Sequence, residues 1–201
     1  RGVDLLAHGG DLFERKSTPA ERNAVAAWLC RVASFAPVVM VRGNHDAVGD
    51  LRIFGALDTA HPVLIDETAG VHVIDITNPS AMVHITQLNS GCVSTIWRDF
   101  ATYQNYLYVI SDNCAGSTLQ VFDLTALPAA PTLVFNSNAF FTTAHTLTIN
   151  SQSGRIYVSG ANTQMNGVII LDILGHPAAP TLAASFFLGA YTHDTYVHND
   201  T

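Results

Sequence analysis

The run Val-Val-Met-Val-Arg-Gly-Asn-His-Asp at residues 38–46 decides the fold of the first third of the chain. Its four leading apolar residues predict a short buried strand, which ends in the turn Gly-Asn-His-Asp at residues 43–46. A second apolar run, residues 3–7, ends in His-Gly-Gly-Asp at residues 8–11. Each predicted strand therefore leads directly into a glycine turn that carries polar side chains.

A helix is predicted between these two strands. Thr18 can cap it, Pro19 suits its first position and Glu21 completes a capping box. Pro37 stops it, and the Cys30 side chain is expected to be a small buried group of the helix. A strand, a helix and a strand joined by short links predict parallel strands with a right-handed crossover. Functional groups collect beyond the carboxyl ends of such strands.

The residues at this edge suit metal-assisted chemistry. Asp11 offers an anionic oxygen that can bridge two divalent cations, and Asn44 offers a neutral carbonyl oxygen. His45 can coordinate a metal or donate a proton to a phosphate oxygen or a leaving group. Two metal ions about 3.5–4 Å apart can activate water and hold a phosphoryl group. The alternative interpretation is that Gly-Asn-His-Asp is only a turn.

These motifs resemble those of the calcineurin-like metallophosphoesterases. The longer runs at residues 10–15 and 41–46, with the helix between them, resemble the SbcD-type DNA exonuclease subunits of that family. The resemblance covers about residues 1–70. It implies an α/β sandwich, a pair of Mn²⁺ or other divalent ions, a phosphodiester or DNA substrate, an SbcC-type ATPase partner and a cytoplasmic location.

The resemblance also implies a role for each motif residue. Asp11 would bridge the metal ions, Asn44 would bind the second ion, His45 would be the acid that contacts phosphate, and Asp46 would support it. The Asp-x-His and Gly-His-x-His motifs of the family do not occur in this sequence. We therefore expect an incomplete site without phosphoesterase activity. The alternative is an active Mn²⁺-dependent enzyme whose missing ligands come from later His residues or from another chain.

Charge is distributed unevenly along the 201 residues. The net charge is −7 and charged residues make up 12% of the chain, which excludes a coiled coil and a basic nucleic-acid arm. Residues 1–70 hold 7 Lys/Arg and 9 Asp/Glu, whereas residues 71–201 hold 2 and 7. No apolar run reaches the roughly 20 residues that span a bilayer. The change in composition predicts two domains, residues 1–70 and 71–201.

The second domain contains a repeat. Asp75, Asp123 and Asp172 each follow a strand-like run, at spacings of 48 and 49 residues. The run Pro-Ala-Ala-Pro-Thr-Leu occurs at residues 128–133 and again at 177–182. Four strands in about 48 residues is the size of a β-propeller blade. We expect each Asp to accept backbone N–H groups in a turn.

The repeat resembles the LVIVD repeat of the choice-of-anchor B group of extracellular β-propellers, over about residues 70–201. The resemblance implies a secreted or surface-attached protein, of which about two and a half blades are present, so that the ring cannot close. The predicted fold is therefore mixed: a partial α/β metallophosphoesterase sandwich followed by an incomplete all-β propeller. Open sheet edges predict self-association.

Arg98, His145 and His193 occupy equivalent repeat positions, next to Asp99 and Asp194. If their strand is innermost, all five would line a central channel, as a cation or anion site or as a hydrogen-bonded lining. Cys92 and Cys114 are predicted to form a disulfide. Because the two resemblances imply different compartments, the localisation and the propeller partner stay undetermined. We interpret the chain as a hybrid of two fragments, cut at both ends, of natural, engineered or assembly origin.

Overall fold

In a computed structural model the chain is mostly β-sheet and folds into two compact units. The first unit comprises residues 1–69 and 73–84, and it is called the phosphoesterase unit below after the resemblance of residues 1–70. The second, called the sheet unit, comprises residues 70–72 and 85–201. The structure describes residues 4–43, 45–68, 70–89, 92, 95, 97–114, 116–187 and 189–197.

The phosphoesterase unit is built on a three-stranded sheet and one α-helix. Strands β1 (Leu6–His8), β2 (Val38–Val41) and β3 (Val63–Asp66) lie side by side in that order, and both pairs are parallel. Helix α1 (Pro19–Val32) connects β1 to β2. The predicted strand–helix–strand arrangement with parallel strands is confirmed. A 3₁₀ helix (Arg52–Ala56) lies between β2 and β3.

The ends of α1 follow from its sequence. The Thr18 hydroxyl accepts the Glu21 N–H at 3.3 Å, and the Glu21 carboxylate accepts the Thr18 N–H at 2.7 Å, which forms the predicted capping box. The helix buries Leu29, whereas Cys30 is a free, exposed cysteine. The expectation that Cys30 is buried is therefore wrong, because adjacent helical residues lie about 100° apart and only one of them faces the sheet.

The core of the phosphoesterase unit lies between α1, the sheet and the 3₁₀ helix. Its buried members are apolar residues of all three elements and of the loop after β1. They are Phe13, Leu29, Ala33, Val38, Met40, Leu51 and Phe54. This core fixes the positions at which β1 and β2 end, and so the positions of the two motif loops.

Further along the chain, strands β4 (Val71–Asp75) and β5 (Val83–Leu88) pair as a two-stranded sheet. The sheet unit then contains two four-stranded antiparallel sheets, each open and each in simple sequential order. The first consists of β6 (Arg98–Tyr103), β7 (Tyr106–Ser111), β8 (Leu119–Asp123) and β9 (Thr132–Ser137). The second consists of β10 (Thr146–Asn150), β11 (Arg155–Ala161), β12 (Gly167–Asp172) and β13 (Thr181–Phe186).

Residues of both four-stranded sheets form a single apolar core in the sheet unit. Tyr108 and Ile110 of β7 pack with Ile156 and Val158 of β11, and all four are fully buried. Leu107 and Ile156 occupy the same position in their sheets, 49 residues apart along the chain, and both are buried. The sequence period is therefore the period of the buried positions.

The repeated aspartates have the predicted structural role. In each case the Oδ1 atom accepts the N–H of the residue two positions later at 2.8 Å. Such bonds close an Asx turn at the end of a strand. The three donor and acceptor pairs are Thr77 and Asp75, Thr125 and Asp123, and Leu174 and Asp172.

The sheet unit also contains the predicted disulfide. Cys92 and Cys114 are bonded, with 6.2 Å between their Cα atoms. The guanidinium of Arg98, in β6, donates to the backbone carbonyls of Cys92 and Thr95 and so ties this segment to the first sheet. Among the described residues, no helix is long and apolar enough to cross a membrane.

Candidate functional site

The two motif loops of the phosphoesterase unit meet at the carboxyl ends of β1 and β2. One loop carries Asp11 and the other carries His45 and Asp46. The His45 backbone N–H donates to Oδ1 of Asp11 at 2.9 Å. Since β1 and β2 are parallel neighbours, residues that follow their ends are brought to the same edge of the sheet. The structure thus places Asp11 beside the Gly-Asn-His-Asp turn.

Two glycines allow the loops to approach this closely. Gly10 has φ +99°, and a Cβ there would lie 2.3 Å from the Gly43 nitrogen. A Cβ on Gly43 would lie 2.1 Å from Oδ1 of Asp11. Both distances are far below contact distance, so only glycine fits at either position. Asp11 itself has φ +55°, in the left-handed region that aspartate tolerates better than most residues.

Asp46 binds both loops together. It is 2% exposed, and its Oδ1 accepts the Phe13 N–H at 2.8 Å while its Oδ2 accepts the Gly43 N–H at 2.9 Å. One donor lies on the loop after β1 and the other on the loop after β2. The carboxylate therefore faces the protein backbone, and its geometry is that of a positioning residue.

Of the turn residues that the structure describes, His45 is the most accessible. Its side chain is 43% exposed, and its Nδ1 lies 3.3 Å from the carboxylate of Glu14, which is 82% exposed. Glu14 belongs to the run at residues 10–15, but nothing in the sequence pairs it with His45. A contact this exposed adds little stability.

The remaining predicted ligand, Asn44, lies outside the described residues. Among the described residues, no set of three His, Cys, Asp or Glu side chains includes Asp11 or His45 within the span of a metal ion. Asp11 and His45 fit one or two ligand positions. They do not by themselves fit the bridged pair of ions that a two-metal site requires.

The sheet unit brings three of the five candidate channel residues together. Nε2 of His145 lies 2.8 Å from Nε2 of His193, and the two ring centroids are 4.1 Å apart. Nδ1 of His193 lies 2.5 Å from Oδ2 of Asp194. The hydrogen bond from the His193 ring lowers the pKa of Asp194 below its ordinary value.

Arg98 and Asp99 have backbone partners instead. Oδ2 of Asp99 accepts the Leu147 N–H at 2.8 Å, which links β6 to β10. Arg98 donates to the carbonyls of Cys92 and Thr95, and burial lowers the pKa of its guanidinium. Their equivalent repeat positions therefore do not give equivalent contacts.

A residue that the sequence did not single out completes the histidine pair. Oδ2 of Asp112 lies 2.6 Å from Nδ1 of His145, and its Oδ1 accepts the Thr143 hydroxyl at 2.8 Å. Burial raises the pKa of Asp112, but hydrogen bonds from His145, Thr143 and Asn113 outweigh this effect and the pKa is lowered. Asp112 and His145 also line a cavity of about 600 Å³, together with Trp97, Thr143 and Asn162.

Parallel strands whose glycine turns bring Asp11 to the His45 backbone form the arrangement expected of a metal-dependent phosphoesterase. A family model described as calcineurin-like phosphoesterase matches residues 1–115. The chain belongs to this family, whose members use divalent metal ions. No curated protein sequence and no solved structure matches the chain.

Proposed function

We propose that residues 1–70 are the phosphodiester-binding motif segment of a SbcD-type metallophosphoesterase, and that this chain alone does not hydrolyse phosphodiesters. The observation that carries the proposal is the contact between Asp11 and the backbone of His45, which joins the two motif loops at one sheet edge. The SbcD-type assignment rests on the resemblance of residues 10–15 and 41–46, and it makes DNA the favoured substrate class.

Each motif side chain has a role that its position supports. The exposed imidazole of His45 can donate a proton to a phosphate oxygen or a leaving group. Asp46 holds the loop on which His45 lies, through the Gly43 and Phe13 N–H groups. Asp11, with Asn44, would hold a divalent ion, which when bound would supply a Lewis acid and an activated water.

The number of ligands argues against turnover by this chain alone. A two-metal site must surround both ions with protein oxygen or nitrogen atoms, and the described motif residues supply too few. A single carboxylate with one amide gives weak binding and leaves the water nucleophile poorly positioned. We therefore expect the rate to stay at the level of the uncatalysed reaction with Mn²⁺.

The test is hydrolysis of bis-p-nitrophenyl phosphate with Mn²⁺. We expect the hydrolysis rates of the wild type, Asp11→Asn and His45→Ala to agree within a factor of two. Asp58→Asn, which changes an exposed carboxylate outside the motifs, is the matched control. A Mn²⁺-dependent rate that falls at least tenfold in both motif variants, but not in the control, would establish the alternative of an active enzyme.

We propose, as a fold assignment for the rest of the chain, that residues 71–201 are blades of an LVIVD-type propeller. The proposal is supported by the two four-stranded antiparallel sheets, each of which corresponds to one 48- to 49-residue repeat and contains its Asx turn. On this assignment the chain is a hybrid of two domain types, with the boundary near residue 70. The alternative is a surface-displayed binding module in which residues 1–70 are passive.

Self-association is expected from the outer strand of the second sheet. All six residues of β13 are exposed, with Leu182 at 57% and Phe186 at 40%, and β12 covers only one of its two edges among the described strands. Sedimentation velocity should show concentration-dependent oligomers that Leu182→Lys reduces. Leu174→Lys, at a turn position with 56% exposure, is the control. A monomer at all concentrations would contradict the expectation.

A further inference from the structure

We propose that His145 and His193 of the sheet unit bind a divalent transition-metal ion that prefers imidazole ligands, such as Zn²⁺, Ni²⁺ or Cu²⁺. This site is separate from the phosphoesterase motifs, and the outcome of its test does not depend on the proposed function. It rests on four side chains, namely the two histidines and the two aspartates behind them, Asp112 and Asp194.

The hydrogen-bond partners determine which ring nitrogen carries the proton. Each Nδ1 lies against a carboxylate, at 2.6 Å in His145 and 2.5 Å in His193. A carboxylate can only accept, so each Nδ1 must donate. In both neutral rings the Nε2 atom then presents a lone pair, and the two Nε2 atoms lie 2.8 Å apart. Such an arrangement needs a positive charge between the rings, either a proton or a metal ion.

A carboxylate behind a histidine is the usual support of a metal-binding imidazole. It fixes the tautomer and the ring orientation, and it makes the other nitrogen a better donor to the metal. Here both ligands have this support, from Asp112, which follows β7, and from Asp194, the residue next to His193. Two supported imidazoles with adjacent Nε2 atoms are therefore suited to bind one metal ion.

The spacing of the two nitrogens suits a metal after a small movement. Zn–N bonds of about 2.0–2.1 Å at a tetrahedral angle place two ligand nitrogens about 3.3 Å apart. The observed 2.8 Å is shorter by about half an ångström. The His193 side chain is 66% exposed and can rotate outward, whereas that of His145 is 20% exposed and is held in place.

The backbone already holds the two histidine segments side by side. The His145 N–H donates to the Ser159 carbonyl at 2.9 Å. The hydroxyl groups of Thr146 and Thr148 donate to the carbonyls of His193 and Thr195, both at 2.7 Å. Binding therefore needs little ordering of the chain. Solvent water can fill the remaining coordination positions, because the cavity beside His145 opens the site.

The test is titration of the full chain with Zn²⁺ by calorimetry and with Cu²⁺ by electron paramagnetic resonance. We expect one tight site per chain, with a Cu²⁺ spectrum that shows two imidazole nitrogens. His145→Ala and His193→Ala should each lower the affinity at least tenfold. His176→Ala, which removes an exposed histidine elsewhere in the sheet unit, should leave it unchanged.

Further variants distinguish the loss of a metal ligand from the loss of its supporting carboxylate and from unfolding. Asp112→Asn should lower the affinity about tenfold while the two-nitrogen spectrum remains, because it removes the support and keeps both ligands. Asp58→Asn, which lies outside both candidate sites, should have no effect. His193 is exposed, so its alanine variant should keep the circular dichroism spectrum of the wild type. Absence of binding at millimolar Zn²⁺ and Cu²⁺, or affinities unchanged in both His variants, would overturn the proposal.

Discussion

Asp46→Ala is expected to lower the free energy of unfolding of the phosphoesterase unit by about 3–5 kcal/mol. The substitution removes a buried carboxylate that accepts the N–H groups of Phe13 and Gly43. Each orphaned donor costs about 1–3 kcal/mol, and bonds to a charged acceptor lie at the upper end of that range. Because small domains are stable by only about 5–15 kcal/mol, this loss is a large share of the free energy of unfolding.

Urea unfolding followed by Trp28 fluorescence measures this loss. Trp28 packs against the core of the phosphoesterase unit, and a Trp97→Phe background removes the other tryptophan. Asp46→Asn should cost less than alanine, since its amide oxygen still accepts one N–H group. Asp58→Ala changes an exposed carboxylate and should stay within about 0.5 kcal/mol of the wild type. An Asp46→Ala midpoint equal to that of Asp58→Ala would refute the positioning role.

The sequence predicted those parts of the fold that short-range signals encode. The capping box at Thr18 and Glu21, the strand that ends before Gly43 and the Asx turns at the repeated aspartates all depend on residues a few positions apart. The disulfide followed from cysteine count and compartment. The placement of Asp11 beside the Gly-Asn-His-Asp turn followed from the predicted parallel pairing of β1 and β2.

The rest depended on long-range placement. Asp112 is 33 residues from His145 and carries no repeat signal, since the position 49 residues later is Ala161. Glu14 near His45 is likewise a contact between two loops. Equivalent repeat positions predicted neighbours for His145 and His193, but they also predicted Arg98 as a third member, and its guanidinium has backbone partners. A repeat fixes where a residue lies on a strand, whereas its side chain finds partners that differ between copies.

Tyr108→Ala is expected to lower the free energy of unfolding of the sheet unit by about 3–5 kcal/mol. Tyr108 is fully buried in the core that both four-stranded sheets share, so truncation leaves a cavity as well as losing buried surface. Its hydroxyl donates to the Pro177 carbonyl at 2.8 Å, which ties β7 to the turn after β12. Tyr196→Ala, at 85% exposure, is the matched control and should cost under about 0.5 kcal/mol.

Tyr108→Phe separates packing from the hydroxyl and adds a pH signature. It keeps the ring in the core, so it should cost only about 1 kcal/mol at pH 7, the value of one hydrogen bond.

Burial raises the pKa of Tyr108 above its ordinary value of 10.0, so the folded state holds the phenol proton more tightly than the unfolded state. That contribution is fully present below pH 10 and is lost as pH rises through the folded pKa. The measurement is urea unfolding from pH 7 to 11, followed by Trp97 emission in proteins that carry Trp28→Phe. With Tyr108 kept, the free energy of unfolding should fall faster as pH rises than in the Tyr108→Phe variant. Parallel loss in both proteins would mean that the phenol ionises equally well in the folded and unfolded states, which would contradict its burial.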